Sequence, residues 1–184
     1  MAHTGLGCEN FNFAVYIANR PNMTEYLGLS EMTALSTGEI QAIGQACGNG
    51  WRKVFNVYAK LLFALDKQDF AYSSLAPDWQ GYRDRHLLQA GSQTSLLFSP
   101  PRLRQKLAAN NNTLHIICGR TYAKQLLANG DLVAQLHWID DEFAIDRVNN
   151  LVVCPYFDYR QLSNIKIARL AVILRELKTA RSQK

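Results

Sequence analysis

Four arginines stand just beyond apolar runs of the chain: Arg20 after Phe11–Ala18, Arg102 after Thr94–Phe98, Arg120 after Thr113–Cys118 and Arg160 after Leu151–Cys154. A guanidinium carries a permanent charge and five donors in a fixed fork, which suits a phosphate or another anion. Three of the runs lead directly into helix-start signals, where free backbone N–H groups also favour anions. If the runs are strands of one sheet, their ends predict a rim for an anionic ligand, built from Arg20, Arg102, Arg120 and Arg160 with Gly119 and Tyr122 beside them. The alternative is that these arginines pair locally with Asp158, Asp84 or Asp146.

The segment Pro155-Tyr156-Phe157-Asp158-Tyr159-Arg160-Gln161 is the most unusual in the chain. Its aromatic rings can stack on a nucleobase while Arg160 meets phosphate or a base edge. Tyr156 is the expected stacking residue and Asp158 the carboxylate placed to act in catalysis; Phe157 reads as a core corner under the last helix. Arg83-Asp84-Arg85-His86 sets a carboxylate beside an imidazole, a pair capable of acid–base work. Sequence neighbours point apart, so a local ion network is the competing reading. His115 sits in an apolar strand and reads as a core histidine, and His137 as an exposed one. Gly48-Asn49-Gly50 lacks both the preceding strand and the Lys-Ser/Thr of a phosphate loop and reads as a turn. Cys8, Cys47, Cys118 and Cys154 are far apart, without metal-ligand spacing. Neither a cofactor nor a metal is expected.

These groups need a scaffold. Phe11–Ala18, Thr94–Phe98, Thr113–Cys118 and Leu151–Cys154 are short, apolar and rich in β-formers, as strands covered on both faces are. Trp51, Val54, Phe55, Tyr58, Leu61, Leu62 and Leu65 fall on one face of a helix that Asn49 could cap. Ser99-Pro100-Pro101 starts a helix over 102–109, Thr121 caps one to Ala128, and Ser163 or Asn164 caps the last, to about Lys178. Met23–Gly48 holds two short helical pieces, and Gln68–Gln93 is irregular. Leu132–Ile139 alternates as an edge strand does, while Asp140–Arg147 reads as a loop or a helical turn. Strands alternating with helices imply a three-layer α/β/α sandwich with a mostly parallel four-stranded core sheet. In such sheets ligands bind beyond the carboxyl ends of the strands.

The 184 residues fit a single α/β domain, with 48% hydrophobic and 19% charged residues, a globular composition. No run is apolar enough to span a membrane, and no secretory leader opens the chain, so the expected compartment is the cytoplasm. The net charge of +5 is concentrated at the C-terminus: residues 160–184 carry +6 and the rest about −1. A basic last helix attracts phosphates or is simply a solvated face.

The stretch Leu114-His115-Ile116-Ile117-Cys118-Gly119-Arg120-Thr121-Tyr122-Ala123 resembles the apolar strand, glycine and helix start of the uracil-DNA glycosylase superfamily. Leu151-Val152-Val153-Cys154-Pro155-Tyr156 sits where that superfamily carries a strand and a His-Pro-Ser or Asn-Pro-Ser loop; here Cys154 precedes the proline and Tyr156 follows it. Val15-Tyr16-Ile17-Ala18-Asn19-Arg20-Pro21 is similar to its first strand and motif. The resemblance implies a glycosylase-like fold and places Asn19 where a residue orients a hydrolytic water or a base. The whole chain also resembles a small bacterial family without an assigned activity. Asn19 and Asp158 are thus the catalytic candidates, and the expected partner is a nucleobase, nucleotide or DNA. The second function class is a non-catalytic interaction protein whose cleft is filled by Tyr156 and Phe157.

Overall fold

The computed structural model describes residues 2–103 and 112–182. Among them, eight strands form one sheet. The four segments expected as core strands are its central neighbours. They are β4 (Thr94–Leu97), β2 (Phe13–Tyr16), β5 (Leu114–Cys118) and β8 (Leu151–Cys154), all parallel to one another. Every residue in them is buried, as apolar strands covered on both faces must be.

The sheet is wider than the expected four strands. On one side β1 (Gly5–Gly7) pairs antiparallel with β4, and β3 (Met32–Thr33) adds in parallel to β1. On the other side β7 (Ala144–Asp146) runs antiparallel to β8 and is flanked by β6 (His137–Trp138). Two expectations change here. Asp140–Arg147 is a turn leading into a strand, because Asp140 Oδ1 accepts from the N–H groups of Glu142 and Phe143 and closes the turn. Leu132–Ile139 is a strand only at His137–Trp138; Leu132 is buried and Ala134 and Leu136 pack beside it on irregular backbone. The side-chain alternation was real, but it serves packing without a ladder.

Helices cover both faces. On one, α3 (Asn49–Ala64) and α6 (Asn164–Ser182) pack together, with α2 (Glu39–Cys47) and α4 (Trp79–Arg85) against α3. Their core joins Phe55, Tyr58, Leu62, Leu170 and Leu174 to Phe13, Val15, Ile116 and Val152 of the strands. On the other face α5 (Arg120–Ala128) buries Ala123 and Leu126 against Tyr16, Ile117 and Val153. Alternate residues of each strand thus feed two separate apolar layers, the period-two consequence of the pleat. Trp51, Phe55, Leu62, Ile117 and Val153 are all buried.

Helix starts differ from expectation. α3 begins at Asn49 with Gly48 as its cap residue, and α5 begins at Arg120 with Gly119 as its cap; neither has a side-chain cap. Asn49 and Thr121 lie inside the first turns. Short α1 (Thr24–Leu27) and α2 are the two helical pieces of Met23–Gly48. The helix expected over 102–109 lies, beyond its first two positions, outside the described residues. Among the described residues no helix is long and apolar enough to cross a membrane.

Candidate functional site

The carboxyl ends of β2, β5 and β8 open onto a cavity of about 520 Å³, within the roughly 300–1,000 Å³ usual for small-ligand sites. Its walls come from four places. Ala18 and Asn19 follow β2. Gly119, Arg120, Thr121, Tyr122 and Gln125 belong to the β5–α5 junction. Pro155, Tyr156 and Gln161 follow β8, and Asp141 and Glu142 come from the turn before β7. Adjacent parallel strands are about 4.8 Å apart, so one ligand can touch all three strand ends.

Gly119 is the hinge of the floor. Its φ of +106° is a conformation that side-chain-bearing residues rarely adopt. Its N–H donates to the Cys154 carbonyl at 2.9 Å, and its carbonyl accepts from the Ala123 N–H at 3.1 Å. The peptide is therefore pinned to β8 on one side and to the first turn of α5 on the other. Tyr156 packs over this hinge and is half-buried. Burial raises its phenol above the ordinary tyrosine value, the Cys118 thiol adds to that, and the neighbouring Asn19 side chain opposes it. Tyr122 is likewise raised, by burial first and then by Asp131. Both phenols are thus neutral donors near neutral pH.

Five of the site residues anticipated from sequence line this one cavity: Asn19, Gly119, Arg120, Tyr122 and Tyr156. The other four do not, and each has its own partners. Arg20 donates to the carbonyls of Tyr26, Leu27 and Leu29, capping the C-terminal end of α1, and its guanidinium lies over the Phe98 ring. Arg102 donates to the Ala2 carbonyl. Asp158 and Arg160 pair with each other at 3.1 Å, and Lys53 meets the same carboxylate at 3.2 Å. The hydrogen bond from the Arg160 side chain, then its backbone N–H and Lys53, hold the Asp158 carboxyl well below the usual carboxylate range. Asp158 also accepts the Arg160 N–H across a two-residue turn, so it organises the loop between β8 and α6. The rim of four converging arginines is therefore reduced to one, because local carbonyls and a carboxylate satisfy the rest.

Arg120 itself is engaged. It donates to the Asp141 carbonyl at 2.9 Å and sits over the Trp138 ring. Glu142 is neutralised by Lys166 at 2.7 Å. Apart from the Asp141 carboxylate, which makes no ion pair among the described residues, what remains on the walls is neutral and polar: Asn19, Thr121, Gln125, Gln161 and the two tyrosines. The side chains of Gln125 and Gln161 make no hydrogen bond among the described residues. Sequence reasoning missed both, since isolated glutamines follow no motif; only a helix-phase count from Gly119 could have turned Gln125 toward Thr121.

Other motifs settle into structure. Phe157 is fully buried against Tyr58. Asp84 pairs with Arg83 at 2.8 Å, and His86 stacks on Tyr82, so carboxylate and imidazole do not form an acid–base pair. His115 is a core histidine whose Nδ1 lies 2.8 Å from the Tyr16 hydroxyl; His137 is exposed. Cys118 and Cys154 face each other across β5 and β8, fully buried. Burial raises the Cys118 thiol to about 12 and Cys154 well above its ordinary value, so both stay protonated and serve as small apolar side chains. Among the described residues no group of His, Cys, Asp and Glu could hold a metal ion.

No curated protein and no solved structure matches the chain. A family model does, over residues 4–175, and by it the chain belongs to a family of unknown function, DUF6942.

Proposed function

We propose that the cavity at the carboxyl ends of β2, β5 and β8 binds a neutral, planar heterocycle of the nucleobase class. In this reading the base stacks on Tyr156 and its edge meets the carboxamides of Asn19, Gln125 and Gln161. The observation that carries it is charge. Arg120 is the cation among the described lining residues, and it already serves the Asp141 carbonyl and Trp138. Glu142 is balanced by Lys166, and the Asp141 carboxylate, without an ion pair of its own among the described residues, offsets Arg120. The described lining is therefore neutral overall, and a phosphate would bring its charge against Asp141. Carboxamides offer both donor and acceptor, as a base edge requires. The likeness of Leu114–Ala123 and Leu151–Tyr156 to the uracil-DNA glycosylase pattern supports the same ligand class. No hydrolytic step is assigned. A carboxamide such as Asn19 orients groups but does not take a proton, and Asp158 lies away from the cavity in its own ion pairs.

The test is binding of free uracil, cytosine, adenine and guanine, each compared with its nucleoside monophosphate. At least one base should raise the melting temperature, with little dependence on salt. Tyr156→Ala should cost about 1–3 kcal/mol of that binding, the usual value of base–aromatic stacking. Monophosphates that bind while no free base does would overturn the reading. A screen in which neither binds would leave the interaction-protein class in its place.

A further inference from the structure

The opposite, amino-terminal edge of the parallel strands carries a second cavity, of about 660 Å³, with different chemistry. One wall is the loop after α3, with Phe70 and Tyr72 stacked 14° from parallel at 6.1 Å. Lys178 of α6 crosses over the Phe70 ring at 4.2 Å and donates to the Asp69 carbonyl. The second wall is the end of α4, where Arg85 is exposed and makes no ion pair or hydrogen bond among the described residues. The floor is Asn12, just before β2, and Gln93, just before β4.

Charge and hydrogen-bond capacity both remain open there. Asp69, the one acid among the described lining residues, lies 3.1 Å from Arg175 Nε, a guanidinium it shares with Asp66. With Arg85 and Lys178 the cations still outnumber these two carboxylates, so positive charge is left in excess. Asn12 Nδ2 donates to Gln93 Oε1 at 2.8 Å. That bond joins the two carboxamides and leaves Asn12 Oδ1 as an acceptor and Gln93 Nε2 as a donor without a partner among the described residues, the pair that a hydroxyl satisfies. Holding Gln93 there requires a φ of +57°, a left-handed conformation that a side-chain-bearing residue seldom adopts. Such strain persists only where its surroundings over-determine it. Here they do: Ser92 Oγ bonds Thr94 Oγ1 at 2.8 Å, and Thr94 Oγ1 also accepts from the Leu88 N–H. The backbone that carries Gln93 is therefore held in place, and the exposed Asn12–Gln93 bond sets the two carboxamides side by side on it.

We infer that this cavity binds a small sugar phosphate, its phosphate met by Arg85 and Lys178 and its hydroxyls by the Asn12–Gln93 pair. The guanidinium fork suits phosphate oxygens, and the aromatic wall of Phe70 and Tyr72 covers the apolar face of a sugar ring. The site is separate from the cavity at the carboxyl ends of the strands and does not depend on the reading of that one.

The experiment uses the full chain with ribose 5-phosphate, free ribose and inorganic phosphate as probes. Ribose 5-phosphate should raise the melting temperature, and ribose should not. Arg85→Gln is an exposed change without a lost partner, so the fold persists; it should weaken ribose 5-phosphate by about tenfold or more, the equivalent of one charged hydrogen bond. Gln93→Gly relieves the positive φ and removes the carboxamide, so it should weaken ribose 5-phosphate while leaving inorganic phosphate unchanged. Tyr156→Ala should leave both unaffected. The inference is overturned by no binding of ribose 5-phosphate at roughly 10 mM, far weaker than a built site allows. It is also overturned by equal affinity in Arg85→Gln, or by inorganic phosphate binding as tightly as the ester.

Discussion

Replacing Gly119 by alanine probes the hinge on which the carboxyl-end cavity rests, and the geometry separates the two ways such a change can hurt. A Cβ built on Gly119 would meet its nearest atom, Tyr156 Cδ2, at 3.9 Å, ordinary van der Waals distance. The steric term is therefore close to zero. The backbone term is not: φ is +106° and ψ is +133°, outside even the left-handed helical well that other residues visit. The peptide cannot rotate away cheaply, because its N–H bonds Cys154 and its carbonyl bonds Ala123. The expected loss of folding free energy is about 1–3 kcal/mol, the range for one residue held in a forbidden region. Urea unfolding followed by tryptophan fluorescence and circular dichroism measures it, with an unchanged dependence on denaturant as the sign that the native fold persists. Gly50→Ala is the control. Gly50 lies in the first turn of α3 with open space around its Cβ position, so the same chemical change should be neutral or stabilise by up to about 1 kcal/mol. A loss at Gly119 below about 0.5 kcal/mol would refute the argument, since the strain would then be absent or freely relaxed.

Two more outcomes follow from the packing and the ion pairs. Leu62→Ala, in the buried face of α3, should cost about 2–5 kcal/mol in the same unfolding assay; a loss well under 1 kcal/mol would mean that α3 is not seated on the sheet. Asp158 has a folded-state pKa held below its unfolded value, first by Arg160 and then by Lys53. Its contribution is complete above the unfolded value of about 3.9 and is lost as pH falls through the lower folded value. Melting temperatures between pH 6 and pH 2.5 should therefore fall less steeply in Asp158→Asn than in the native chain, and equal slopes would show that the carboxylate is not paired in solution.

What could be read from the sequence was what repetition encodes. Four apolar runs with helices between them gave the parallel centre of the sheet, and the seven apolar positions from Trp51 to Leu65 gave α3. β1 was invisible because Gly5-Leu6-Gly7 has poor strand propensity. It exists because glycine lets the backbone lie against Leu96 and Thr94 of β4, where a Cβ at Gly5 or Gly7 would strike a carbonyl oxygen. β7 was hidden by its charged flanks. Its Asp146 is buried, yet accepts from Gln135, Val148 and Asn149, an arrangement that depends on residues brought in from a neighbouring loop. The site was half legible for the same reason. The ends of strands can be located from strands, which placed Asn19, Gly119 and Tyr156 together, but the partners of each arginine are tertiary facts.

Those partners change what the chain's positive charge means. The last helix carries most of the excess, yet Lys166 meets Glu142, Arg169 meets Asp140, and Arg175 meets Asp69 and Asp66. Exposed pairs of this kind add little stability, about 0–1 kcal/mol each, but they cancel field locally. At physiological salt an unpaired charge acts over only about 8 Å. A ligand therefore responds to the charges left unpaired beside it and hardly to the net value of the chain. By that criterion the two edges of the sheet differ in kind. At the carboxyl edge Asp158 balances Arg160, the Asp141 carboxylate offsets Arg120 and Lys166 balances Glu142, and the rest of the described wall is neutral carboxamides and phenols. At the amino edge Arg85 and Lys178, together with Arg175, outnumber the two carboxylates, Asp66 and Asp69, that share Arg175. The edge that has the more arginines in sequence is thus the one suited to a neutral ligand, and the anion site lies at the edge where no arginine pattern announces it.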